Sequence, residues 1–302
     1  MAELRPPERH EADAVTELIA ASDVADYGAP DIDPDDVRTA WRRPGFRLED
    51  DAVVAVEDAQ LVGYAALMRD GFVDAYVHPE ARGRGIGSRL VDWSEHRAAE
   101  RLEPGGSVTL GQAIPSVNVG ARSLLESRGY QPARTYWRMV ASLDGPPPEP
   151  AWPDGIRVRS FDPERDARAV HMLIQDAFAD NERYAPETFE EWQVGQIDRE
   201  AFEPGLWVVA EADGSVVGAV VCPDYEEEGW IRQLAVARDW RRRGLGTALL
   251  RRAMAEFHRR GRKEIGLVVD SWNRTGAKEM YERSGMRVAR EYYRYEKEIS
   301  AR

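Results

Sequence analysis

The chain has 302 residues, 43% of them hydrophobic, with a formal net charge of −13. That length suits two domains of about 150 residues each, and the acidic balance argues against nucleic acid as a partner, since phosphodiester binding needs basic surface. No apolar run approaches the roughly 20 residues that cross a bilayer, the start Met1-Ala-Glu-Leu4 lacks a basic or apolar leader, and the lone Cys222 excludes an intrachain disulfide framework and suits a reducing, cytoplasmic setting.

In chain order, apolar spacing predicts a helix over Glu11–Ala21, then an acidic segment carrying Asp31, Asp33, Asp35 and Asp36. Strands follow near Ala52–Glu57, Leu61–Met68 and Phe72–Val77, then helix Ile86–Arg101, strand Val108–Gln112, helix Val119–Arg128 and strand Arg134–Leu143. The run Asp144-Gly-Pro-Pro-Pro-Glu-Pro-Ala151 reads as a stiff connector. Domain boundaries are therefore expected at 1–143 and 152–302, with 144–151 as the linker.

Beyond the linker the same order returns. Ile156–Ser160 is a strand, Pro163–Phe178 a helix, and Thr188–Gln196 a second helix. Leu206–Ala212 and Val216–Cys222 form a hairpin about Asp213-Gly214, and Gly229–Val236 adds a third strand. A helix presents Leu245, Leu249, Ala253 and Phe257 on one face. Strand Glu264–Val269, helix Thr275–Arg283 and the β-rich stretch Arg287–Glu298 close the half. The expected class is α/β (α+β): two mixed, splayed sheets, each with helices on both faces.

The repeat is visible in residues as well as order. Arg82-Gly83-Arg84-Gly85-Ile86-Gly87-Ser88 and Arg241-Arg242-Arg243-Gly244-Leu245-Gly246-Thr247 are offset by 241 − 82 = 159 positions, each between a strand and a helix. Downstream, Ala121–Gly129 matches Ala277–Gly285 at an offset of 277 − 121 = 156. The chain is an internal duplication. A glycine-rich turn at a helix start aims backbone N–H groups outward at the positive end of the helix dipole, where phosphate binds readily.

Element order and loop together resemble the GNAT superfamily of acyl-CoA-dependent N-acetyltransferases, twice over, across nearly the whole chain. Its R/Q-x-x-G-x-G/A signature is met by Arg82, Gly85 and Gly87 and by Arg241, Gly244 and Gly246. The resemblance implies that the strand before each loop splays from its neighbour. Ala75, Tyr76 and Val77, or Leu234, Ala235 and Val236, then pair with the pantetheine of acetyl-CoA, and the loop N–H groups take its diphosphate. It also implies that Asn273 hydrogen-bonds pantetheine and that Tyr281 protonates the departing thiolate.

The two halves differ at that last point. Leu125 stands where the second half has Tyr281, and it has no proton to give, so the resemblance places catalysis in residues 152–302 and leaves the first half structural or cofactor-retaining. The strand glutamate that serves several family members as general base is replaced by Trp230, and by Gly71 in the first half. Among Glu226, Glu227 and Glu228, the last is the candidate base, acting through water. Asp180 and Glu182, like the acidic segment of the first half, border the expected acceptor cleft. His78, beside Pro79 after the strand, reads as a loop residue rather than a base, and His10, His96, His171 and His258 have no metal-ligand spacing. The expected activity is acetyl transfer to a primary amine of a small molecule, cysteinyl conjugates included, by a protein that is a monomer or homodimer and has no nucleic-acid or membrane partner. The rival is a non-catalytic acyl-CoA-binding sensor or scaffold.

Overall fold

The computed structural model describes residues 2–181, 184–225, 228–273 and 275–301. The first elements are β1 (Glu3–Arg5), α1 (Ala12–Tyr27), α2 (Asp36–Arg42), α3 (Leu48–Asp51), β2 (Ala52–Glu57), β3 (Gln60–Leu67), β4 (Val73–Val77), α4 (Ile86–Glu100), β5 (Ser107–Pro115), α5 (Val119–Ser127) and β6 (Gln131–Ser142). After the proline-rich segment come β7 (Arg157–Ser160), α6 (Pro163–Phe178), α7 (Phe189–Gln196), β8 (Val208–Ala212), β9 (Ser215–Val221), β10 (Gly229–Ile231), β11 (Gln233–Val236), α8 (Leu245–Arg259), β12 (Glu264–Asp270), α9 (Ala277–Arg283) and β13 (Arg287–Ser300). The mixed α/β class follows from this order. The short helices α2 and α3 emerge from the acidic segment, where apolar periodicity was too brief to reveal them.

Local chemistry explains the clearest elements. Asp162 caps α6 by accepting from the Glu164 and Arg165 N–H groups at 3.1 and 3.3 Å, with Pro163 at the first helical position. Thr188 and Glu191 form a reciprocal capping box at the start of α7.

The chain packs as two compact units, Met1–Tyr136 with Arg290–Arg302, and Trp137–Ala289. This division differs from one cut at residues 144–151. In the first unit β1-β2-β3-β4 form an antiparallel sheet, and β5 pairs antiparallel with Tyr292–Ser300 of β13. In the second, β7, β8, β9 and β11 are antiparallel, β10 runs parallel to β12, and the Leu143 N–H donates to the Lys263 carbonyl at 2.7 Å. Each half's last strand thus completes the other half's core. Met139, Ala141 and Leu143 alternate into the second unit's core, while Tyr295 and Ile299 enter the first's. A strand joins the sheet whose core its apolar face fills, whatever its place in the chain.

Candidate active site

Both units open their sheets at the same point. In the second, Gly229–Ile231 pairs with Ile265–Leu267, but from Gln233 onward the strand pairs with β9 alone. In the first, β4 meets β5 through one parallel bridge, Phe72 to Gly111, and then pairs with β3 alone. The Ala237 N–H donates to the Val217 carbonyl at 2.9 Å and the His78 N–H to the Val62 carbonyl at 3.0 Å. Antiparallel hydrogen bonding alternates along a strand, so Leu234 and Val236, and likewise Ala75 and Val77, turn their backbone groups toward the open side. Ala235 and Tyr76 hydrogen-bond inward to the sheet.

The loops form an anion cradle beside each opening. Ala248 is the first residue of its helix whose N–H finds a backbone acceptor, Gly244 O at 3.0 Å; Arg89 bonds Gly85 O at 3.3 Å in the first half. Among the described residues, the backbone N–H groups from Arg242 to Thr247, and from Gly83 to Ser88, make no hydrogen bond within the protein. Gly85 and Gly244 adopt φ of 80° and 86°, a conformation that disfavours any side chain. Gly246 serves a different need. A Cβ there would lie 3.2 Å from Met280 Sδ and 3.7 Å from Val236 Cγ2, while at Gly87 it would lie 3.1 Å from Leu124 Cδ2. Leu245 and Ile86 are buried and anchor the two helices.

The loop arginines mostly hold the loops in shape. Arg241 donates to the Val236 and Ala177 carbonyls at 3.2 and 3.1 Å and to Asp180 at 2.6 Å. Arg82 likewise bonds Asp26 at 2.7 Å and Ser22 at 2.8 Å. Each signature arginine ties its loop to the end of the first long helix of its half. Hydrogen bonding from Arg241, joined by Arg238, holds the Asp180 carboxyl below the usual range, which commits Asp180 to the loop. Arg243 stacks over Trp240 at 5.0 Å, Arg84 bonds Glu57 and the Glu80 carbonyl at 3.2 and 2.7 Å, and exposed Arg242 sits at φ 61°.

Tyr281 lies on α9, next to the Met280 that faces Gly246. It is 8% exposed, its hydroxyl has no hydrogen-bond partner among the described residues, and burial pushes its pKa up to about 12. Leu125, at the matching place on α5, is buried. Tyr130 is also fully buried, aligned with Met286 after the helix.

Other expected groups have local duties. Both Glu228 oxygens lie 2.6 Å from Arg138 Nη2, and that guanidinium stacks 4.9 Å from the Trp230 ring. Its partners in the acidic run, Glu226 and Glu227, and also Glu182, lie outside the described residues. Asn273 Oδ1 accepts from the Thr275 N–H and hydroxyl at 2.9 and 2.5 Å, which closes a turn. Cys222 is wholly buried, its thiol pKa raised by desolvation. His78 accepts from the Glu80 N–H at 3.4 Å and caps a short turn. Among the described residues no group of histidine, cysteine and acidic side chains is arranged to hold a metal, and no helix is long and apolar enough to cross a membrane.

An open sheet edge, a cradle of unbonded N–H groups and glycines where the walls close in all fit a diphosphate-bearing thioester. Present twice, they define a tandem acyl-CoA-dependent transferase. The acetyltransferase (GNAT) family model matches residues 167–286, and a GNAT acetyltransferase domain model matches residues 49–132. A mycothiol acetyltransferase of Thermobispora bispora is 33% identical over 216 residues, 69% of this chain and 70% of the relative. Another, from Salinispora arenicola, is 31% identical over 299 residues, 93% of this chain and 91% of the relative. The crystal structure of a GCN5-related N-acetyltransferase from Sphaerobacter thermophilus superposes with a TM-score of 0.80 at 36% identity, covering 99% of this chain and 96% of that one. A tandem GNAT protein of the clavulanic acid biosynthesis pathway shares the fold, with a TM-score of 0.74 at 17% identity over 99% of both chains. The chain belongs to the GNAT acetyltransferase family, in its tandem form. It is an acetyltransferase, and acetyl-CoA is its acyl donor.

Proposed function

We propose that the second half transfers acetyl to a primary amine of a small molecule, and that the first half is structural or retains cofactor. The observation that carries this reading is the coincidence, in the second half alone, of the open edge of β11, the N–H cradle from Arg242 to Thr247 and the Tyr281 hydroxyl. Acetyl-CoA supplies the activated acetyl thioester. Leu234 and Val236 offer it backbone groups as a neighbouring strand would, and the loop amides neutralise its diphosphate. Each charge-assisted bond of that kind contributes about 1.5–3 kcal/mol.

Tyr281 stays protonated across the neutral range, so its hydroxyl is a standing hydrogen-bond donor for the departing sulfur. No carboxylate occupies the strand position taken by Trp230. Glu228, expected to act through water, has both oxygens 2.6 Å from Arg138 Nη2, and we assign it to holding that guanidinium against Trp230. The amine must then arrive largely neutral. An amine of pKa about 8 incurs about 1 kcal/mol at pH 7, against about 5 kcal/mol for a lysine-like one. A weakly basic cysteinyl amine of the mycothiol-precursor type is therefore the acceptor we favour, in keeping with relatives that carry the name mycothiol acetyltransferase.

Thiol release from acetyl-CoA, assayed against cysteinyl conjugates, aminoglycosides and polyamines, tests the reading. Turnover with a cysteinyl amine above the others is the expected result. Tight acetyl-CoA binding with no turnover on any amine would favour the sensor instead.

A further inference from the structure

Gln233 is the polar residue of β11, Gln233-Leu-Ala-Val236. Leu234 Cδ2 and Val236 Cγ2 lie 3.8 and 3.7 Å from where a Cβ on Gly246 would stand, so those two side chains face α8. Alternation turns Gln233 to the opposite face, where its amide oxygen accepts from Trp192 Nε1 on α7 at 3.1 Å. An indole N–H only donates, so this bond fixes which way round the amide sits: oxygen toward Trp192, NH2 away from it. Trp192 is itself wholly buried. Its ring is held by Trp207 edge-on at 5.9 Å, Phe189 at 6.1 Å and His171 at 5.7 Å.

The nitrogen of that amide is not engaged. It makes no hydrogen bond with any described residue, and Gln233 is half-buried, with the nitrogen still in reach of solvent. Its position matters. Gln233 stands two residues beyond Ile231, the last residue of the β10–β12 pairing, where the sheet has just opened. With the diphosphate at the loop past Val236 and the pantetheine alongside Val236 and Leu234, the thioester end of acetyl-CoA comes toward Gln233. The same place in the first half, 233 − 159 = 74, is Asp74, and an ionised carboxylate only accepts. A side-chain donor on the splayed strand and the Tyr281 hydroxyl therefore occur in the same half.

We propose that Gln233 is a specificity-determining residue of the second half: its amide NH2, aimed by Trp192, donates to a carbonyl oxygen on the carbon next to the acceptor's amine. The acceptor class is then an α-aminoacyl amide. A neighbouring carbonyl is also what separates an α-amine of pKa about 8 from a lysine-like amine of about 10.4. One group on the acceptor thus answers two features of the strand, the absence of a carboxylate at Trp230 and the unengaged donor at Gln233. Polyamines and simple alkylamines carry no such oxygen and leave the donor unused. Trp192 is the positioning residue, since without its N–H the amide could turn its oxygen toward the acceptor and repel the carbonyl. The inference rests on the reading of the second half as the transferring one, and names the substrate class for it.

Calorimetric titration of the full chain, saturated with CoA so that nothing turns over, tests it with cysteinamide against cysteamine, which is the same molecule without its carboxamide. Cysteinamide is expected to bind more tightly. Gln233→Glu keeps an oxygen for Trp192 and replaces only the NH2, so it should cut that advantage about fivefold or more, leave cysteamine binding intact or stronger, and keep the melting temperature. Gln233→Met, which removes the donor without adding charge, should cut the advantage likewise and serves if the first variant folds poorly. In turnover, the KM for cysteinamide should rise in both variants while the KM for acetyl-CoA holds. An advantage unchanged in both variants overturns the proposal, as does an equal loss for the two amines, or failure of cysteinamide to bind the CoA-loaded chain. Absence of turnover on every amine, with the Gln233-dependent preference present, would sink the proposed function and leave the assignment of Gln233 standing.

Discussion

Tyr281→Phe deletes one oxygen from a buried helix residue and leaves its ring in place. With the phenol near pKa 12 and a thiol near 8.5, complete proton transfer to the leaving sulfur is uphill by about 5 kcal/mol. That is too much for a step in which the tyrosine hands over its proton outright. A hydrogen bond to a thiolate remains available and is worth about 1.5–3 kcal/mol, so kcat should fall by about 10- to 150-fold. The hydroxyl has no hydrogen-bond partner among the described residues, so the melting temperature should hold or rise slightly, and acetyl-CoA affinity should persist. Steady-state kinetics on the best amine, beside thermal melts and calorimetry, decide the matter. An unchanged kcat would remove Tyr281 from the chemistry and reopen the choice between halves. A loss beyond about 10³-fold with an intact fold would show that bound cofactor brings the tyrosine's pKa down into the range of a true general acid.

Gly246→Asp should abolish acetyl-CoA binding by the second half, since bulk and negative charge then face the cradle; Gly87→Asp should leave turnover mostly intact, and calorimetric stoichiometry separates the two. Gly244→Ala places its Cβ in open space but forces a φ of 86°, so about 1–2 kcal/mol of stability should be lost, seen as a lower melting temperature. Leu125→Ala should destabilise by about 2–5 kcal/mol in denaturant titration with little direct effect on rate. For Asp74, the folded pKa lies above its ordinary value of 3.8, so the folded state binds more protons and stability declines as pH rises from about 4 through about 6. At pH 7 Asp74→Asn should therefore melt higher, by about 1 kcal/mol after allowance for its partial exposure, and the gain should vanish near pH 4.

The first-half asymmetry has a physical logic. On the proposed reading, a half relieved of chemistry need not keep a proton donor on α5, where Leu125 is buried. The same half carries Asp74, whose carboxylate makes no hydrogen bond or ion pair among the described residues and whose desolvation works against stability at neutral pH.

The duplication, the order of the longer strands and helices, the two loops and the difference between Tyr281 and Leu125 were legible in the sequence, because each is local; β1, α2 and α3 were too short to show. Helical and strand periods, the Asp213-Gly214 turn and glycines at strand–helix junctions act within a few residues of themselves. Tertiary structure decided three things. It sent the end of β6 into the second unit and the end of β13 into the first, since only packing says whose core an apolar strand face completes. It showed that Arg241 and Arg82 brace their loops against Asp180 and Asp26, partners some sixty residues away, a duty the motif did not report. It also left the Asp74 carboxylate without a hydrogen bond or ion pair among the described residues while engaging Glu228 with Arg138 and Gln233 with Trp192. Asp74 did leave a trace, a carboxylate inside the apolar strand Val73-Asp-Ala-Tyr-Val77. Whether such a charge is satisfied depends on residues far away in the chain, and no pattern within the strand reports them.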